Sequence, residues 1–116
     1  KKRITLQNKI IELEKITNNH IKPNNTKVIL IDNEKEYAIA VLVFDSIPSL
    51  GIRWLNVKNG YPISGWFIVP DSLDCSILDV IQLSLFDKKK ITDFLSDTNA
   101  SILNIKNIKT VVINRV

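Results

Sequence analysis

The sequence of 116 residues contains one cysteine, one histidine and three glycines, and each shortage excludes a class of protein. A lone cysteine, Cys75, cannot form an intrachain disulfide, which excludes a disulfide-stapled extracellular domain. A zinc site needs several nitrogen or sulfur ligands, and the chain has too few. Three glycines supply neither a P-loop nor a dinucleotide-binding fingerprint. We therefore expect no metal, no cofactor and a reducing, cytoplasmic setting.

Long apolar runs are also missing. The longest, residues 38–44, has the length of a strand and falls well short of the roughly 18 residues that cross a membrane. The sequence therefore predicts no membrane partner. The composition, 45% hydrophobic and 24% charged, is typical of an ordinary globular domain, and we predict a single domain over residues 1–116.

Hydrophobic periodicity in the first part of the chain predicts a helix followed by strands. Apolar residues recur every three or four positions over residues 4–18, which indicates an amphipathic helix. Segments rich in branched and aromatic residues predict four strands, and the Pro/Gly-containing segment 46–51 is interpreted as a connector. The predicted strands cover residues 27–31, 37–45, 52–57 and 65–69.

Two helices are expected after the fourth strand. The first begins at Asp71 or Ser72 as N-cap and runs to about residue 86, with the row Leu73, Ile77, Ile81 and Leu85 facing the core. Cys75 is interpreted as a small packed residue of this helix. The second helix covers residues 88–96 and is capped by Asp87, and a final strand covers 109–114. The order predicts an α+β fold with a mostly antiparallel sheet of four to five strands.

Charge is unevenly distributed along the chain. The net charge is +4, but residues 71–97 contain six aspartates against three lysines, between basic flanks. A solvated helical face is the simpler interpretation of this acidic segment. The alternative is an acidic patch that meets a basic partner. Its candidate residues are Asp74, Asp79, Asp87, Asp93 and Asp97.

The segment 51–70 contains the most distinctive candidate binding residues. They are Arg53, Trp54, Lys58, Tyr61 and Trp66, around an expected turn at Asn59-Gly60. Aromatic side chains beside cations hold single-stranded nucleic acid, and the same residue types anchor protein interfaces. A hairpin with its aromatics in the core is the third interpretation. The two tryptophans are equally distant from the turn and are expected to be cross-strand neighbours. Strand alternation places Arg53 and Trp54 on opposite faces.

The order of helix, strand meander, helix and last strand broadly resembles the core of the PD-(D/E)xK nucleases. That resemblance implies one acid near the end of the second core strand, where Asp45 stands, and an acid-x-lysine motif on the next strand. The next strand reads Ile-Arg-Trp-Leu-Asn over residues 52–56 and has neither. Asp87-Lys88-Lys89 matches the motif but falls at an expected helix cap. We predict no catalytic residue.

The expected function is therefore that of a small intracellular, non-catalytic binding or regulatory module that recognises another protein. A bias towards Ile, Asn and Lys, which have AT-rich codons, suggests a bacterial source, and a role in a defence or toxin-immunity system fits that size and setting. The alternative is a nucleic-acid-binding domain of a restriction or mobile-element protein. The sequence indicates neither the identity of the partner nor the oligomeric state.

Overall fold

A five-stranded sheet lies between helices in the computed structural model, which describes residues 5–55 and 65–114. The helices are α1 (Leu6–Glu14), α2 (Asp74–Val80) and α3 (Leu85–Leu95), and short 3₁₀ turns lie at Asp71–Leu73 and Ile102–Ile105. The strands are β1 (Thr26–Asp32), β2 (Tyr37–Phe44), β3 (Ile47–Trp54), β4 (Phe67–Ile68) and β5 (Val111–Ile113).

The strand order is β4-β3-β2-β1-β5, and every neighbouring pair is antiparallel except β1 with β5. The predicted α+β fold is confirmed, with its N-terminal helix, mostly antiparallel sheet, two helices after the fourth strand and C-terminal strand. The central strands β1 and β2 are almost wholly buried because both faces of the sheet are covered.

Each face of the sheet has its own apolar core. The core under α1 contains Leu13 of that helix, small residues of β2 such as Ala38 and Ala40, and Trp66. The opposite core, which is larger, joins β1, β2 and β3 to α2, α3 and the 3₁₀ turn at Ile102–Ile105. Side chains that alternate along a strand therefore enter different cores.

A bulge in β1 adjusts this alternation. Val28 packs in the core under α1, whereas Ile29 and Leu30, the next two residues, both pack in the larger core. The pairing with β2 shifts between Val28 and Leu30 accordingly. The Val28 backbone finds side-chain partners: its N–H donates to Glu14 Oε2 at 2.8 Å, and its carbonyl accepts the Thr110 hydroxyl at 2.8 Å.

The third strand begins earlier than predicted. The expected connector over residues 46–51 is wrong, because a tight turn at Asp45 and Ser46, with φ of 50° and 69°, leads directly into β3. Leu50 accepts the Val69 N–H on its β4 side, so Pro48, two residues earlier, directs its nitrogen to that side as well. Among the described residues β4 pairs only with positions 51 and 52, so no ladder bond is lost at Pro48.

The predicted helix over residues 71–86 is also wrong at both ends. Its first turn is a 3₁₀ turn with no side-chain cap from Asp71 or Ser72, and α2 ends at Val80 because Ile81 is extended. Ser84 then caps α3 by accepting the Asp87 N–H at 3.0 Å, so Asp87 is not the cap.

This break changes which residues face the core. Ile81 remains buried, but Leu85 is exposed because the chain turns between α2 and α3 and the helical phase is lost. Leu73, in the 3₁₀ turn before α2, is also exposed. Cys75 is exposed rather than packed.

Candidate functional site

Three of the five candidate binding residues, Arg53, Trp54 and Trp66, surround one concave site at the end of β3. Lys58 and Tyr61 lie outside the described residues. We name the site the aromatic groove; its volume is about 620 Å³. It is lined by Tyr37, Ile52, Arg53, Trp54, Gly65, Trp66 and Phe67.

One wall of the groove is aromatic and open to solvent. Trp54 pairs with Tyr37 across β2 and β3, and Phe67 pairs with Ile52 across β3 and β4. Tyr37 and Ile52 are half-buried against the larger core, while Trp54 is 61% exposed and Phe67 is 68% exposed. Paired residues share a face, so the four side chains lie on the same side of the sheet.

The other wall belongs to the core under α1. Trp66 is only 6% exposed and packs in that core. Its close approach requires glycine at position 51, where a Cβ atom would lie 3.1 Å from Trp66 Cβ and 2.9 Å from Leu42 Cδ2. The indole Nε1 of Trp66 is buried and has no hydrogen-bond partner within residues 5–55 and 65–114. The two tryptophans line the same groove from opposite faces, so they are not a cross-strand pair.

Arg53 lies on the Trp66 side of the sheet. It pairs with Ala38, which belongs to the core under α1, so Arg53 and Trp54 face opposite sides as alternation predicts. The guanidinium lies 5.9 Å from the centroid of the Trp66 ring, within cation–π range. Its Nε donates to the Trp54 carbonyl and its Nη1 to the Gly65 carbonyl, both at 3.2 Å.

Burial lowers the pKa of Arg53 from its ordinary value, because the charged guanidinium is partly removed from water. The ion pairs found between described residues are His20 with Asp45 and Lys89 with Asp93, and neither involves this arginine. The positive charge in the groove is therefore held by backbone carbonyls and a π face rather than by a carboxylate.

Comparison with known protein families, with curated proteins and with solved structures finds no match to this chain.

Within residues 5–55 and 65–114, no three His, Cys, Asp or Glu side chains are grouped as they would be to hold a metal ion. In the same ranges no helix has the length and apolar character needed to cross a membrane.

The acidic patch candidates lie on α2, on α3 and just after α3, and Asp93 and Asp97 line one pocket together with Lys90. Asp93 pairs with Lys89 at 3.0 Å, and Asp87 lies in the first turn of α3, where the helix dipole favours a negative charge. Asp79 and Asp97 are exposed. Asp74 differs: burial and the nearby Asp71 raise its pKa, and its Oδ1 is buried with no hydrogen-bond partner in the described part of the chain.

Sequence reasoning also missed a contact between the only histidine and Asp45. His20 Nδ1 lies 2.8 Å from Asp45 Oδ1, and the ring stacks on Phe44 with a centroid separation of 5.0 Å. The Asp45 N–H also donates to the His20 carbonyl. Asp45, the acid implied by the nuclease resemblance, is thus bonded to the segment after α1. No sequence signal links positions 20 and 45, because the contact depends on the β2–β3 turn.

Proposed function

We propose that the protein is a non-catalytic binding module that recognises another protein, and that the aromatic groove is its recognition surface. The observation that carries the proposal is the exposure of Trp54 and Phe67, each above 60%, on one face of the sheet. Exposed apolar side chains that lie together on one face are typical of interaction sites, and tryptophan is enriched among the residues that dominate interface energies.

The edge strand beside the groove suggests how a partner is held. Val69 donates its N–H to Leu50 on β3, so the residue before it, Ile68, directs its backbone N–H and carbonyl away from β3. β4 is the last strand in the sheet order on this side. An extended partner segment can pair with this edge and place alternate apolar side chains against Phe67 and Trp54.

The groove fits a polypeptide better than a nucleic acid. Binding to a nucleic acid draws on several lysines and arginines that contact successive phosphates. Among the described residues that line the groove, Arg53 is the one cation, and part of its hydrogen-bonding capacity is used by the Trp54 and Gly65 carbonyls. The other lining side chains are apolar or aromatic, apart from the Tyr37 hydroxyl.

The test uses a phage library of random peptides of about 12 residues, long enough for one strand and its flanks. We expect the wild-type protein to enrich peptides with alternating apolar residues. The Trp54→Ser/Phe67→Ser double variant should bind the selected peptides at least about tenfold more weakly. The matched control is Leu85→Ser/Leu103→Ser, which removes two exposed apolar side chains that do not line the groove and should leave affinity unchanged.

Two results would overturn the proposal. One is an absence of enrichment on the wild-type protein, or equal enrichment on the Trp54→Ser/Phe67→Ser variant. The other is binding of fluorescent single- or double-stranded oligonucleotides that weakens steeply with salt and is lost in the same variant, which would assign the groove to nucleic acid. A cytoplasmic location and a role in bacterial defence or toxin immunity remain part of the proposal, and neither outcome depends on them.

A further inference from the structure

Arg53 has hydrogen-bonding capacity that the described residues do not use. A guanidinium carries five N–H groups in a planar fork. One on Nε and one on Nη1 donate to the backbone carbonyls of Trp54 and Gly65. The second N–H of Nη1 and both on Nη2 have no acceptor among residues 5–55 and 65–114.

No described carboxylate forms an ion pair with the Arg53 guanidinium. A charge that is partly withdrawn from water is stabilised when an opposite charge is paired with it, and no ion pair to Arg53 is found among the described residues. The chain that joins β3 to β4, residues 56–64, contains no Asp or Glu in its sequence. A partner molecule is therefore the natural source of the missing anion.

The same arginine lines the groove together with Trp54 and Phe67. A carboxylate accepts two parallel N–H bonds from one guanidinium, so the unused donors suit this group in geometry as well as in charge. We infer that Arg53 binds a carboxylate of the partner segment, an inference that rests on the proposed function. The groove then selects an Asp or Glu side chain next to apolar residues. The Trp66 ring contacts the guanidinium through its π face and so holds Arg53 in the position at which the carboxylate binds.

The sharpest test is a cycle of paired variants. The strongest acidic peptide selected on the wild-type protein is compared with its Asp→Asn or Glu→Gln counterpart, by fluorescence anisotropy, on the wild-type protein and on Arg53→Met. Methionine keeps an unbranched apolar chain over Trp66 but has no N–H donors. We expect the amide peptide to bind the wild-type protein at least about tenfold more weakly than the acidic one, and both to bind Arg53→Met within about twofold of each other.

Arg53→Lys separates charge from geometry. Lysine retains the positive charge but not the planar fork, so it should recover only part of the preference for the acidic peptide. If Arg53→Met fails to fold, as judged by circular dichroism, Arg53→Lys takes its place in the cycle, and a preference for the acidic peptide as large as that of the wild-type protein would overturn the inference.

The failures of the two proposals are distinguishable. Apolar peptides that are enriched without any preference for Asp or Glu, or an amide substitution that costs the same on wild-type and Arg53→Met protein, would overturn the carboxylate site and leave the groove intact. No enrichment on the wild-type protein would instead overturn the groove itself. The library contains no phosphorylated peptides, so inorganic phosphate is added as a competitor of the acidic peptide. Displacement of that peptide by millimolar phosphate would count against a site that selects a carboxylate.

Discussion

Glu14 of α1 accepts the backbone N–H of Val28 through its Oε2 at 2.8 Å, where β1 bulges. Val28 is fully buried, so its N–H has no access to water if the carboxylate is removed. A buried donor left without an acceptor costs about 1–3 kcal/mol. We predict that Glu14→Ala lowers the free energy of unfolding by about that amount, measured by urea denaturation. Glu12→Ala, which removes an exposed carboxylate from the same helix, should change it by less than about 0.5 kcal/mol; equal effects would contradict the prediction.

The other side of the bulge gives a second prediction. Thr110 donates its hydroxyl to the Val28 carbonyl at 2.8 Å, which ties the residue before β5 to β1. Thr110→Val keeps the shape of the side chain and removes this bond, so it should destabilise the protein by about 1 kcal/mol. Thr98→Val, at an exposed position, is the control. No loss of stability relative to that control would show that the carbonyl is satisfied in another way.

Gly51 is predicted to tolerate no side chain. A Cβ atom at this position would lie 2.9 Å from Leu42 Cδ2 and 3.1 Å from Trp66 Cβ, both within a buried core. Gly51→Ala should therefore destabilise the fold by about 1–3 kcal/mol through overpacking. It should also change the near-ultraviolet circular dichroism of Trp66. Ser49→Ala on the same strand is the matched control, and a Gly51→Ala variant as stable as this control would contradict the close approach.

Asp74 predicts a pH dependence. Burial and Asp71 raise its pKa above the ordinary value of 3.8, so the folded state favours the protonated carboxyl more than the unfolded state does. Protonated Asp74 therefore stabilises the folded state, and this stabilisation is fully present below the pKa of Asp74 in the unfolded chain. It is lost as pH rises through the pKa of Asp74 in the folded protein. We expect Asp74→Asn to melt at a higher temperature than the wild-type protein at pH 7, with the difference shrinking below about pH 4.

The comparison for this prediction is Asp79→Asn on the same helix, which is exposed. Its melting temperature should follow that of the wild-type protein across the same pH range. A difference between Asp74→Asn and wild type that is constant with pH would assign the effect to packing rather than to ionisation.

The well-predicted elements of the fold are those whose pattern reflects burial alone. β1 and β2 are nearly continuous apolar runs because both faces of the sheet are covered, and the sequence shows this directly. The predicted third strand begins too late because Pro48 and Gly51 are residues typical of connectors. Pro48 can occupy β3 because β4 does not extend beside it, and Gly51 is needed there because Trp66 packs against it. Both conditions depend on the neighbouring strand.

The helix break shows a different limit. Ile77, Ile81 and Leu85 continue one helical row in the sequence, and this periodicity favours an uninterrupted helix. The competing signal was present: a serine three residues before an acidic residue, Ser84 and Asp87, is a helix-start pattern. Capping is a short local signal, and here it outweighed the longer apolar pattern.

Part of the lining of the aromatic groove was predicted, because Arg53, Trp54 and Trp66 flank the turn that the sequence predicts at Asn59-Gly60. Tyr37 and Phe67 were missed because they enter the groove through strand register, which places Tyr37 opposite Trp54 and Phe67 opposite Ile52. Which tryptophan is buried depends on what packs on each face of the sheet. That information is spread over the whole chain and is absent from the hairpin itself.

β4 is two residues long, and its length affects how rigid the proposed recognition surface can be. Two residues supply few ladder bonds, so the position of Phe67 is set by its neighbour Trp66, anchored in the core on the far side of the sheet. The proposed binding face therefore depends for its rigidity on the core under α1, in which Trp66 is buried. If the groove binds a partner as proposed, substitutions in the core under α1 would change the affinity without altering any side chain on the binding face.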